Sequence, residues 1–141
     1  MQNYRKLIVW QKAHQLTLDV YKGTISFPKD ELYGLSSQLR RASSSVPTNL
    51  AEGSAKLTDL DFRRFVSIAF GSANETEYII FLSFELKYIS EEEYLKLDAQ
   101  TKEVKKMLAG LIESLGKRIF YKGLFVSILL AGMLSVFSIF S

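Results

Sequence analysis

The sequence predicts an all-α fold: an up-and-down antiparallel four-helix bundle over residues 1–116 with a kinked second helix, followed by a hydrophobic helix at 117–141. Three observations predict it. Apolar residues recur at spacings of three and four over long stretches. Gly and Pro fall sparsely between those stretches, as short loops require. No apolar–polar alternation of useful strand length occurs. Four helices joined by short connections pack as antiparallel neighbours.

The first helix is expected from about Tyr4 to Ser26, with Leu7, Trp10, Ala13, Thr17, Val20 and Tyr21 as its packed stripe. Pro28 ends it, because proline disfavours helical geometry in the residue before it. The second helix is expected to start near Asp30, where Asp30 and Glu31 suit the positive end of the helix dipole. Leu35, Leu39, Ala42 and Val46 continue the stripe. Pro47 predicts a kink or short break around Ser45–Pro47, with a second piece at Thr48–Ala55 that holds Gly53 near its end. Thr58 is the expected N-cap of the third helix, with Asp61 three residues on, and that helix runs to about Lys87. The fourth opens with Ser90 and Glu93 as a capping box. Its apolar face is Leu97, Thr101, Val104, Leu108, Leu111 and Leu115.

Composition narrows the function classes. A chain of 141 residues suits one domain with one core, and 48% hydrophobic residues can build it. The absence of cysteine excludes disulfides, thiolate metal sites and cysteine nucleophiles. The N-terminus lacks the long apolar run of a secretory signal, so the body is expected in the cytoplasm. The net charge of +3 arises from Lys117, Arg118 and Lys122, because the acidic and basic side chains before them balance. The body is therefore not a generally basic nucleic-acid binder, and any such site is a local patch.

The third helix has one unusual feature. From Tyr78 to Leu82 it is apolar all round, whereas the outer face of a small bundle should be polar. Tyr78, Ile79, Phe81 and Leu82 are read as an interface with a second copy of the chain. The alternative is that the C-terminal segment covers them.

Specific strings carry a family resemblance: "VWQKAHQLTLDVY" at 9–21, "FPKDELYGLSSQLRRASSSVPTNLAEGSAK" at 27–56, "FRRFVSIAFGSANETEY" at 62–78, "YISEEEYLKL" at 88–97 and "KKMLAGLIESL" at 105–115. Over about residues 4–116 the chain resembles the small bacterial four-helix bundle proteins first noticed as products of intervening sequences in 23S ribosomal RNA genes. Related to them is the accessory protein of diversity-generating retroelements, which binds nucleic acid and a reverse transcriptase. The resemblance implies a homo-oligomer, a ring of five, and an RNA- or mobile-element-associated context. It does not imply a ribosomal protein or an activity.

Arg40 and Arg41, and Arg63 and Arg64, form two adjacent pairs. A guanidinium fork suits phosphate oxygens, and a ring would repeat the charges into a basic surface. RNA or DNA is therefore the expected ligand. The alternative is that Arg40 or Arg41 pairs with Glu52 or Glu75. Asn49, Glu52, Ser72 and Glu75 match polar positions of the family. Asn49 and Glu52 are read as satisfying backbone groups freed by Pro47, with an arginine as charge partner. A metal site is not expected, since the only histidine, His14, is not in a Glu-x-x-His pattern. No cofactor is implied.

His14, without a partner and pocket, is no evidence of acid–base chemistry, and Ser43–Ser45 lack a base and a nucleophile-elbow pattern. The glycines form no phosphate-binding loop. Trp10 is expected in the core, with a base-stacking platform as the alternative. These readings predict a protein that binds and assembles rather than an enzyme.

The tail departs from the family. Gly123–Ser141 carries no charge, and a helix of that length spans about 28 Å, close to the hydrocarbon thickness of a bilayer. Phe120 and Tyr121 stand among Lys117, Arg118 and Lys122, as at a membrane interface. Gly123, Ser127, Ala131 and Ser135 recur every fourth residue, which permits close helix approach in a membrane. The tail is read as an anchor that attaches a cytoplasmic body to the inner membrane. The alternatives are an accidental extension of the reading frame or a segment folded back over the third helix. A membrane-anchored scaffold with no nucleic-acid role is the rival to the nucleic-acid reading.

Overall fold

A computed structural model of the chain describes residues 3–139, with side chains as far as residue 131. Four α-helices account for most of it: α1 Ile8–Gly23, α2 Leu35–Ser54, α3 Asp59–Glu85 and α4 Glu91–Ile139. Each packs on two neighbours, α1 on α2 and α4, and α3 on α2 and α4. That is the expected four-helix bundle.

The helix ends follow local chemistry. Asn3 Oδ1 accepts the Arg5 N–H at 3.1 Å and opens a separate 3-10 turn, Tyr4–Lys6. Leu7 is extended, so α1 starts at Ile8 rather than Tyr4. A second 3-10 turn at Thr24–Ser26 leads to extended Phe27, as the following Pro28 requires. Asp30 does not start α2. It lies in the 3-10 turn Lys29–Glu31, and α2 begins at Leu35, whose N–H donates to Glu31 Oε2 at 2.9 Å. Tyr88 on the α3–α4 loop donates to the other oxygen of Glu31 at 3.2 Å. One carboxylate thus ties the α1–α2 connection to the start of α2 and to the α3–α4 loop.

Thr58 caps α3 as expected, accepting the Asp61 N–H at 3.0 Å. Ser90 caps α4, accepting the Glu93 N–H at 3.2 Å. Between them the chain turns at Lys87, whose φ of 60° is left-handed. Its N–H donates to the Phe84 carbonyl and the Tyr88 N–H donates to the Ser83 carbonyl. This is the Schellman pattern, with lysine where glycine is usual.

The core runs the length of the bundle through Leu16, Val20, Leu39, Val46, Leu50, Val66, Ile79, Ile80, Val104, Leu108 and Leu115. The stripe of α1 is rotated from its expected bearing. Leu16 and Val20 are its centre, Trp10 is half-buried and Tyr21 is exposed. Periodicity defines a stripe, but the position of α4 decides which edge of it is covered. Thr76, Ser83 and Thr101 are fully buried without penalty, since each hydroxyl donates to a carbonyl four residues back in its own helix.

The tail is continuous with the bundle: α4 does not break near residue 116. Arg118 and Lys122 both reach Asp59 at the start of α3, at 3.0 and 2.7 Å, and Lys117 pairs with Glu113 at 2.7 Å. From Phe120 to Ala131 every residue is exposed, so this stretch does not fold back over α3. Among the described residues no helix is long and apolar enough to cross a membrane. The expected transmembrane anchor is not supported there. Gly123 faces open space, and Ser127 donates to the Gly123 carbonyl within the helix. Ala131 is exposed, and the side chain of Ser135 lies outside the described residues.

Candidate functional site

The four arginines do not converge. Arg40 turns toward α1, where its Nε donates to Thr24 Oγ1 at 2.7 Å and its guanidinium lies 5.0 Å from the centre of the Tyr21 ring. Arg63 turns toward α4, donates from Nε to the Ile112 carbonyl at 3.2 Å and packs beside Gly116. Arg41 and Arg64 remain exposed. Adjacent helical residues point about 100° apart, which sends one member of each pair to a neighbouring helix. Neither Arg40 nor Arg41 forms the expected ion pair with Glu52 or Glu75. Glu52 pairs with Lys56 at 3.6 Å, while Arg41 and Glu75 line an open groove on the α2–α3 face.

Pro47 does not break α2, which runs unbroken from Leu35 to Ser54. Proline removes the donor for the carbonyl four residues back, which is Ser43. Thr17 Oγ1 on α1 lies 3.0 Å from that oxygen and also 3.0 Å from the Ala13 carbonyl. The next two carbonyls receive side-chain donors as well, Ser44 from Thr48 and Ser45 from Asn49, both at 2.8 Å. Asn49 therefore bonds a carbonyl that Pro47 does not free, Glu52 bonds none of these oxygens, and no arginine joins in; the freed oxygen, that of Ser43, is met by Thr17 instead. Ser72 belongs to the same cluster through the Ser45 hydroxyl, 2.8 Å away.

The expected interface on α3 divides in two. Ile79 is 1% exposed and belongs to the core, so it is not an interface residue. Leu82 is half-buried. Tyr78 and Phe81 point outward, 62% and 46% exposed, and Leu60 and Ile68 join them on the outer face of α3. Gly71 lies on that face with nothing within 4 Å of where a Cβ would stand, so the surface is open there.

Charge is segregated across the bundle. α1 and the turn before it carry Arg5, Lys6, Lys12 and Lys22 against one carboxylate, Asp19, and α2 carries Arg40 and Arg41 against Glu52. Asp19 faces α4. It accepts from Gln100 at 2.8 Å and Gln15 at 3.2 Å and pairs with Lys96 at 3.2 Å. Burial pushes its pKa up, but those hydrogen bonds and the Lys96 charge together hold it below the usual value. The outer surface of α1 and α2 is thus cationic, while α3 and the first half of α4 carry the acidic excess that balances it. Among the described residues no group of three or more histidine, aspartate and glutamate side chains is placed to hold a metal ion.

Sequence reasoning missed the roles of Thr17, Asp19 and Glu31. Pro47 was the available signal for Thr17, but the donor lies on another helix. Asp19 is the sole carboxylate of α1, and only the packing of α4 shows what it meets.

A solved structure agrees with this fold. A protein of unknown function from the S23 ribosomal protein family of Bacteroides thetaiotaomicron VPI-5482 is 27% identical, with a TM-score of 0.68. The match covers 74% of this chain and 98% of that one. None of the curated proteins matches the chain. The model of the 23S rRNA-intervening sequence protein family matches residues 5–110. With the bundle, the strings of the sequence and that match in agreement, the chain belongs to the 23S rRNA-intervening sequence protein family.

Proposed function

We propose that this chain is a non-enzymatic assembly protein that self-associates through the outer face of α3 and binds nucleic acid through exposed arginines repeated around the assembly. The observation that carries the reading is the apolar outer face of α3, where Leu60, Ile68, Tyr78 and Phe81 stand exposed around an open Gly71. A patch of that kind on a small soluble bundle marks an interaction surface. Arg41 and Arg64 are the phosphate-binding candidates, because Arg40 and Arg63 are held by neighbouring helices. A neutral protomer gains a basic surface when such residues are repeated in an oligomer.

Light scattering with absorbance on the full chain, at low and high salt, tests both parts. The expected result is an oligomer that carries RNA at low salt and sheds it at high salt. Ile68→Lys with Tyr78→Lys is expected to reduce it to a monomer. Arg41→Ala with Arg64→Ala is expected to lower the salt slope of binding by about one for each arginine removed. A monomeric native chain overturns the assembly reading, and unchanged binding in the arginine variant overturns the arginine route.

A second reading, a scaffold attached to a membrane without a nucleic-acid role, is favoured by the exposure of every residue from Phe120 to Ala131. A single protein groove covers one side of a helix, whereas lipid covers all sides. Flotation with lipid vesicles is expected to carry the full chain but not a version ending at Leu115. Equal behaviour of the two overturns the attachment.

A further inference from the structure

We infer that the groove between α1 and α2 is a base-stacking site for single-stranded nucleic acid. The inference rests on the nucleic-acid part of the proposed function and moves its centre to a different surface. Trp10, His14, Thr17 and Tyr21 follow one another at four, three and four residues, so they share one edge of α1. Thr17 meets α2 through the Ser43 carbonyl, which places this edge along the α1–α2 groove.

Two planar platforms stand on that edge. Trp10 and His14 stack with ring centres 5.0 Å apart and planes 11° apart, and Tyr4 closes on Trp10 edge-on at 5.0 Å. The Trp10–His14 platform borders a groove of about 260 Å³ whose far wall is Ser44, Pro47 and Ala51 of α2. Further along α1, the Arg40 guanidinium lies over the Tyr21 ring and is fixed by its bond to Thr24. His14 and Tyr21 are about 10 Å apart by the rise of the helix, a distance that a short stretch of extended strand bridges.

The charge pattern selects the occupant. No carboxylate lines the groove at Trp10. Among the described residues Arg5, Lys6, Lys22 and Arg41 of this half form no ion pair, while Lys12 pairs with Glu103, and Lys96, Lys102 and Lys105 of α4 each pair with a carboxylate. Rings that offer π-faces beside free cations suit a ligand with exposed bases and a phosphate backbone. A duplex hides its bases and would gain only the phosphate contacts.

Trp10 is the only tryptophan, so its emission reports occupancy directly. The test titrates the full chain with a labelled oligo(dT) and with the same length of duplex, following anisotropy and Trp10 emission at several salt concentrations. Binding to the single strand at least about tenfold tighter than to the duplex, with quenching of Trp10, is the expected result. His14→Ala with Tyr21→Ala, both at exposed positions, is expected to weaken the single strand by at least about tenfold with the salt slope unchanged. Arg41→Ala is expected instead to lower that slope by about one.

Equal affinity for both forms with Trp10 unmoved overturns the stacking site and leaves phosphate binding standing. No binding of either form overturns both. If His14→Ala with Tyr21→Ala reduces the oligomer mass and leaves oligonucleotide binding alone, the groove serves a second copy of the chain and the inference is overturned.

Discussion

The Thr17 hydroxyl on α1 stands 3.0 Å from the Ser43 carbonyl on α2, the oxygen that Pro47 leaves without its helical donor. A bond between two helices thus replaces one that a proline removed within a helix. Thr17→Val keeps the shape and leaves a buried acceptor unmet, which costs about 1–3 kcal/mol. Urea denaturation checks it. In a Pro47→Ala background the backbone N–H returns and the same change is expected to cost less. Equal costs in both backgrounds would show that Thr17 does not act on this carbonyl.

Lys87 occupies a left-handed position at the end of α3, with φ of 60°. Glycine adopts that conformation without strain from a Cβ. Lys87→Gly is expected to raise stability by up to about 1 kcal/mol, read as a higher denaturation midpoint.

Gly53 and Gly110 should respond to alanine in opposite directions. A Cβ at Gly53 would lie 2.6 Å from Phe65 Cβ and 2.9 Å from Phe62 Cδ2. Gly53→Ala therefore forces α2 from α3 and is expected to cost about 1–3 kcal/mol. Nothing lies within 4 Å of a Cβ at Gly110, so Gly110→Ala is expected to gain about 0.5–1 kcal/mol from helix propensity. Thermal melts of the two variants check the contrast.

Asp19 makes stability depend on pH. Burial pushes its folded pKa up, but the bonds from Gln100, Lys96 and Gln15 and the Lys96 charge outweigh that and hold it below the ordinary aspartate value. Its contribution is fully present above the unfolded pKa and is lost as pH falls through the folded one. Denaturation curves are expected to be flat with respect to this group near neutrality and to weaken at acid pH. Asp19→Asn should be less stable at neutral pH and should weaken less on acidification. An unchanged acid slope in that variant would remove Asp19 as a source of it.

Asp59 clasps the start of the tail. The hydrogen bond from Lys122 is the main cause of its lowered pKa, with the charges of Arg118 and Lys122 adding to it. Asp59→Ala is expected to speed amide exchange at residues 117–122, and high salt should do the same to the native chain. The global midpoint should move little, since exposed pairs contribute about 0–1 kcal/mol each.

Much of the fold was legible in the sequence because it follows from local rules. Spacings of three and four marked four helices, Thr58 and Ser90 marked two starts, and Pro28 marked a stop. The expected break at Pro47 did not occur, because the compensating donors include one from another helix. Likewise the arginine pairs could be seen in the sequence, but not their destinations, since Thr24 and the Ile112 carbonyl are remote along the chain. Ile79 and Tyr78 are neighbours in an apolar run, and only the packing of α3 against α2 and α4 sends one inward and the other out.

By itself the sequence determined the fold class, the four helices of the bundle, the neutral balance of the body and the family resemblance. Each depends on residue order, composition or helical period. The tertiary structure alone decided which two arginines stay free, which edge of α1 shows its rings, and how cationic and acidic helices divide between two sides. Those outcomes depend on how helices are rotated against one another, and that rotation is set by contacts between residues far apart in the chain.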